Sequence, residues 1–436
     1  MMRRRTATTG LLLGLLSSCA KPKPKIIGVQ VPVLPDMSGM NVSPDAPAVQ
    51  LPAAAPLADW PQQLANTAHV PGNVAAPLGF KPRWRADIGA SGGYRQPLMA
   101  SPLIVGGHVF TMDADAAVRA LSLAQGKDLW RTVTRPKHAT EQNIGGGIAY
   151  DSGKIYASTG YGELLALDAT SGKILWRQKL GLAARSAPLV AAGLVAVLIQ
   201  NDQLLTFDAA SGTPGWHFSG AVGQPSTTAM SICGAPAYAD GIIVAGFSTG
   251  VLAAINASSG MPVWEQSLSA SAGGSSSVDF SDIVAAPVIA DGVVYATNLG
   301  DTAMAVDLHS GAKVWTHGAT STQAMCLSGG FAFLLDTSQK LYAIHADDGL
   351  VRWAAQMPAF RNVKHQSGPT QDWAGPLLVN GMLMLVSNLG NAALVDPETG
   401  KLKHMKNLGG WLDMPPVAAG GVLLTLARDA TLTAYG

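Results

Sequence analysis

From residue 100 onward the chain repeats one order of apolar and polar positions. An apolar run is followed by a glycine turn and a second apolar run. An acidic or amide residue comes next, then Ser or Thr before Gly, with Trp four residues after that Gly. The order is plainest in Asp168 to Ser171-Gly172 to Trp176 and in Asp208 to Ser211-Gly212 to Trp216. Asn256 to Gly260 to Trp264 and Asp307 to Gly311 to Trp315 are close copies. Weaker copies run through Gly126 and Trp130, through His345, Gly349 and Trp353, and through Asp396 and Gly400, where His404 takes the Trp position. The seven glycines are spaced by 46, 40, 48, 51, 38 and 51 residues. A period in the forties with several short strands per unit predicts a β-propeller.

Each part of the unit has a physical reason. Asp or Asn at the start of the turn accepts backbone N–H groups two or three residues on, and the following Gly takes the left-handed conformation that closes the hairpin. The Trp is predicted on the outermost strand, flat between neighbouring blades, where one ring covers more area than any aliphatic side chain. The last segment, from Pro416 to Gly436, holds the inner strands of a further unit and stops where its acidic turn is due. The missing outer strand stands at the other end of the repeat region, in Lys81 to Ile88 with Trp84. Joining the two predicts an all-β fold, an eight-bladed propeller of four-stranded antiparallel blades over residues 80–436, closed by an N-terminal strand.

The first residues read differently. Arg3-Arg4-Arg5, a short apolar run from Leu11 to Leu16 and Ser17-Ser18 describe a secretory signal over residues 1–18, too short to span a bilayer as a mature helix. Leu16-Ser17-Ser18-Cys19 is similar to a bacterial lipobox, which implies acylation of Cys19 and a membrane anchor through lipid. Ala20, not Asp, follows Cys19, which favours the periplasmic face of the outer membrane. Residues 20–79 hold 11 of the 27 prolines, a density that disfavours helices and ladders and predicts an extended tether over residues 19–79. Trp60-Pro61-Gln62 is the part of it expected to dock on the folded domain, and removing the tether is expected to matter far less than removing residues 80–90.

Composition narrows the function. With 29 basic against 28 acidic residues there is no basic stripe for nucleic acid, and 48% apolar residues exclude a mainly disordered chain. The nine histidines show no HxxxH spacing and no CxxC occurs, so no metal site is expected. Cys233 and Cys326 fall in different, non-adjacent blades; pairing and buried free thiols both stay open. The patterned aspartates are one per blade, a structural distribution, and no catalytic residue is assigned among them.

The unit Ala166-Leu-Asp-Ala-Thr-Ser-Gly-Lys-Ile-Leu-Trp176 resembles the repeat named after pyrroloquinoline quinone enzymes, and the resemblance covers residues 80–436. Quinoprotein dehydrogenases share that repeat with the BamB lipoproteins of outer-membrane β-barrel assembly. The lipobox, the Pro-rich lead with Asp59-Trp60-Pro61 and the short blades are similar to the latter as it occurs in α-proteobacteria. The dehydrogenase resemblance implies a planar quinone slot, calcium, an Asp base and a pair of adjacent cysteines; no adjacent pair exists here. The BamB resemblance implies a non-enzymatic scaffold without a cofactor, which binds the barrel-forming subunit and aids unfolded outer-membrane proteins. Anchored on Ser186-Ala187-Pro188 and Pro287, the partner-binding positions it implies are Leu180, Leu182 and Asp282, with Arg185 two residues from the Ala183 that aligns with the family's Arg, and Val284 where a second acid is expected. Three readings stay open: a barrel-assembly scaffold, a quinoprotein enzyme, and an envelope propeller with another partner.

Overall fold

A computed structural model describes residues 40–220, 233–268, 281–362 and 365–436; the signal, Cys19 and the first part of the expected tether lie outside them. Among the described residues no helix forms, and eight four-stranded sheets run through 103–132, 146–179, 189–219, 237–267, 288–317, 326–356, 373–407 and 417–435. We number these as blades 1 to 8. The eighth is completed by Pro82–Asp87, which pairs antiparallel with Thr431–Tyr435, so the expected closure by an N-terminal strand is what forms. One further exposed hairpin, Phe360–Asn362 with Ser367–Thr370, stands between blades 6 and 7.

Strand burial follows from position in the ring. Middle strands such as Ile242–Gly246 are buried on both faces, because each blade packs against two neighbours. Outer strands such as Ile174–Lys179 alternate. In every blade the outermost pair shifts register beside the Trp position, as at Ala166/Leu167, a bulge that re-aims the strand where the ring must lie over the next blade.

The repeat residues form a joint between blades. Asp168 Oδ1 accepts the Ser171 amide at 2.8 Å and its hydroxyl at 2.7 Å, and these bonds hold the carboxyl below its usual range. Asp208 and Asp307 do the same with Ser211 and Ser310. Each repeat glycine has φ between +67° and +77°, and a Cβ on it would lie 2.5 to 2.8 Å from the Trp of the preceding blade. Glycine is therefore required twice, by the turn and by the ring above it. Trp84, Trp130, Trp216, Trp264, Trp315 and Trp353 also donate Nε1–H to a carbonyl of the next blade's turn, at 2.7 to 3.0 Å. Trp176 covers Gly212 in the same way, but the Tyr156 hydroxyl occupies the equivalent carbonyl, Ala209 O, and Trp176 Nε1 has no acceptor.

His404 now has an explanation. Blade 8 has no turn for a blade 7 Trp to cover, since the two chain segments meet there, and Leu402–Asn407 is exposed throughout. Phe80 fills the seam instead, edge-on to Tyr435 at 6.1 Å, while Lys406 of blade 7 lies over the Phe80 ring and bonds to the Gly79 and Phe80 carbonyls.

The largest departure concerns the tether. Residues 40–79 belong to the same compact unit as the blades and pack on the propeller. Ser43 N and Arg352 Nη1 tie the start of this segment to blade 6. The chain then runs once round one end of the ring. Leu57 O receives Gly420 N of blade 8, and Trp60 exchanges two bonds with Ile104 of blade 1. Pro61 O receives Tyr150 N of blade 2, and the Gln62 amide pairs with both backbone groups of Val190 in blade 3. Thr67 O and Ala68 O receive Tyr238 N of blade 4 and Ile289 N of blade 5. Val74 bonds to blade 7, and Ala55 meets Asn73 and Ala75, which closes the loop on itself.

Proline density misleads here because proline removes a donor, not an acceptor. The inner strands offer unpaired N–H groups along the channel, and carbonyls such as Pro61 O satisfy them. Trp60, expected to dock, is 1% exposed. A chain starting at residue 80 is expected to melt well below one starting at residue 40, by ten degrees or more, and Trp60→Ala is expected to destabilise by about 3–5 kcal/mol. Calorimetric melting of the three chains checks both; equal melting temperatures would restore the tether.

Candidate functional site

Inner strands and the loops feeding them place two sites, one on the rim and one in the channel. The rim loops at residues 180–188 and 281–287 lead into blades 3 and 5, at the end of the ring opposite the 40–79 strap. Asp279 and Phe280, which precede the second of these loops, lie outside the described residues.

Of the four expected partner-binding residues, one is at the surface. Leu182 is 41% exposed, whereas Leu180 is buried in the packing between blades 2 and 3. Arg185 and Asp282, expected at the edge of a contact patch, are 0% and 3% exposed, so neither can meet a partner in this fold. They do come together. Arg185 Nη1 donates to Asp202 Oδ1 at 2.7 Å and Nη2 reaches both oxygens of Asp282 at 2.9 Å. Asp202 also accepts the amide and hydroxyl of Ser248, and Cys233 N donates to Arg185 O. One guanidinium thus fastens the loop before blade 3 to that blade's own hairpin and to the loop before blade 5, and Asp202 carries the link on to Ser248 of blade 4.

Asp202 stands at φ +58° in a hairpin turn, and an aspartate off the Asp-Ser-Gly pattern is the one signal the sequence carries for it. A buried ion cluster is weak support for net stability, since desolvation offsets much of the attraction. Its effect is positional. It fixes the backbone that presents Leu182.

The second site is the channel. The strap closes one end, with Trp60, Gln63, Leu64, His69 and Pro71 as its floor, and the walls carry Met99, Met325, Leu377 and Met414 around a cavity of about 350 Å³. Exposed Thr322 and Asp413 stand at the other end, which opens to solvent. Cys233 and Cys326 both line this cavity as buried free thiols, pushed up to about 11 and about 12 by burial. His69 Nδ1 donates to Pro287 O at 2.7 Å, and burial lowers its pKa to about 4, so the ring is neutral.

The donor set does not fit a calcium-bound quinone. The single carboxylate lining the cavity, Asp413, is paired with Arg428, and no group of three or more His, Cys, Asp or Glu side chains converges among the described residues.

Two outcomes are expected. Arg185→Ala leaves two buried carboxylates without their counter-ion and should destabilise by roughly 3–5 kcal/mol in denaturant melts. Arg185→Met, in place of a surface-like loss of under 1 kcal/mol, should also be clearly destabilising, because the carboxylates remain. His69 gives a pH dependence: the unfolded chain binds the proton near pH 6.5 and the folded chain only near 4, so stability is full above 6.5 and falls as pH drops towards 4, by up to about 3 kcal/mol. His69→Asn, which tolerates the left-handed backbone at this position, should flatten that part of the stability–pH curve; an unchanged slope would contradict the assignment.

The profile of a family described as outer membrane protein assembly factor BamB matches residues 114–355. Curated BamB proteins of Yersinia pestis and Escherichia coli K12 are each 26% identical, over 362 residues (81% of this chain, 88% of theirs) and 357 residues (80% and 87%). The crystal structure of BamB from Moraxella catarrhalis superposes with a TM-score of 0.65 at 17% identity, covering 80% of this chain and 99% of that one. Quinohemoprotein alcohol dehydrogenase from Comamonas testosteroni gives 0.66 at 13% identity, over 87% and 81%, a likeness of fold alone. A profile that matches more than half the chain, on a ring whose joints carry the repeat, shows that the chain belongs to the BamB family of outer-membrane protein assembly factors.

Proposed function

We propose that this chain is a non-enzymatic scaffold of outer-membrane β-barrel assembly, held at the periplasmic face of the outer membrane by lipid on Cys19. It binds the barrel-forming subunit through its rim, so that unfolded outer-membrane proteins meet the machinery at high local concentration. The observation that supports the rim is Leu182, an exposed leucine on a loop whose backbone is locked by Arg185, Asp202 and Asp282. A rigid apolar anchor loses little entropy on binding, which is what a hot spot requires. In this reading Arg185 and Asp282 are positioning residues, and Leu180 supports the loop from below.

Capture of the barrel-forming subunit from detergent-solubilised envelopes tests it. Wild type should retain that subunit, and Leu182→Asp should reduce capture about tenfold or more, the effect of losing a hot spot of roughly 1.5–2 kcal/mol, with melting unchanged. If the wild-type chain brings down no barrel-forming subunit, the scaffold reading fails.

A further inference from the structure

Two polar side chains of the strap line the channel, each with one hydrogen-bonding atom that no described residue engages. Gln63 uses Oε1 to accept Ala235 N at 2.7 Å, and its Nε2 donor has no partner among the described residues. His69, 2% exposed, commits Nδ1 to Pro287 and keeps Nε2 as an unshared acceptor. Both side chains line the cavity floor. Trp60 lies beside them with its Nε1–H unsatisfied. Of the three, Trp60 Nε1 is the fully buried unpaired atom and Gln63 is half-buried; unpaired polar groups in such a place are costly, and a native fold retains few of them. Above them the walls are mainly apolar, with Ser101 and Gln323 among them, and no Lys or Arg lines the cavity among the described residues.

We propose that the blind channel binds a small neutral amphiphile, an apolar body whose primary amide or hydroxyl end sits against Gln63 and His69. Such an end accepts from Gln63 Nε2 and donates to His69 Nε2, and it satisfies both groups at once. An anion is disfavoured, because a carboxylate brings only acceptors to the His69 lone pair and finds no cation to pair with. The neutrality of His69, whose pKa is lowered by burial, keeps Nε2 an acceptor at neutral pH. A volume of about 350 Å³ lies within the range of small-molecule sites, roughly 300–1,000 Å³. The thioether side chains of Met325 and Met414 adapt to an apolar body of variable shape.

Calorimetric titration of the full chain with 2-naphthamide and with 2-naphthoate tests the proposal. The amide should bind saturably at one site and the carboxylate at least about tenfold more weakly. Gln63→Met should weaken the amide roughly three- to tenfold, the worth of one neutral hydrogen bond. Ala324→Trp, at a half-buried position on the wall, should abolish binding by filling the cavity. Melting curves of both variants separate loss of the pocket from loss of the fold. Equal affinity for amide and carboxylate, binding that survives in folded Ala324→Trp, no response to Gln63→Met, or a cavity that takes up water only would each overturn it.

Discussion

The fold depends on one contact repeated around the ring: a tryptophan on the outer strand of one blade lying on the glycine turn of the next. The contact couples local and global structure. Closing the turn needs a left-handed residue without a Cβ, and that same missing Cβ makes room for the ring from the preceding blade. Most of these tryptophans also satisfy a turn carbonyl through Nε1. A substitution at either partner therefore damages a hairpin and an interface together. Blade number follows from where such joints can and cannot form, and the one missing joint falls where the ring is sewn shut by two distant segments of chain.

The architecture was legible in the sequence because the joint writes itself into it. The period, the Asp-Ser-Gly turns, the outer-strand tryptophans and the closing strand around Trp84 all reflect local chemistry at fixed spacing. The strap was not legible beyond Trp60, for a specific reason. Its proline content correctly excludes helix and ladder, but docking through carbonyls and side chains such as Gln62 leaves no period to read. Burial of Arg185 was hidden for a related reason: its counter-ions Asp202 and Asp282 lie 17 and 97 residues away, and charge alone does not say whether a loop faces in or out. Of the expected rim patch, Leu182 keeps its surface position.

The two ends of the propeller are chemically unlike. One end is sealed by the strap, which uses its backbone to pair the inner edges of successive blades and leaves Gln63 and His69 looking into the channel. The other end carries the longer connecting loops, the Arg185 cluster beneath them and the mouth of the channel. Rim and channel mouth thus share one face, and the same loops that hold Leu182 rigid belong to blades whose approach segments, at Cys233 and Val284, form the channel wall.

The strap also sets an order of events during folding. Its hydrogen bonds join residues as far apart as Asn73 and Gly381, or Asn380 and Ala76, a separation of more than 300 positions. Blades assemble from neighbours in sequence, but the strap has no complete surface until all eight blades stand side by side. The segment made early is thus among the last to find its place, and until then Trp60 and Val74 are bare. Such long-range contacts slow folding and lengthen the time in which apolar chain is open to other molecules. Seating of the strap marks the moment at which the ring has been counted and found complete.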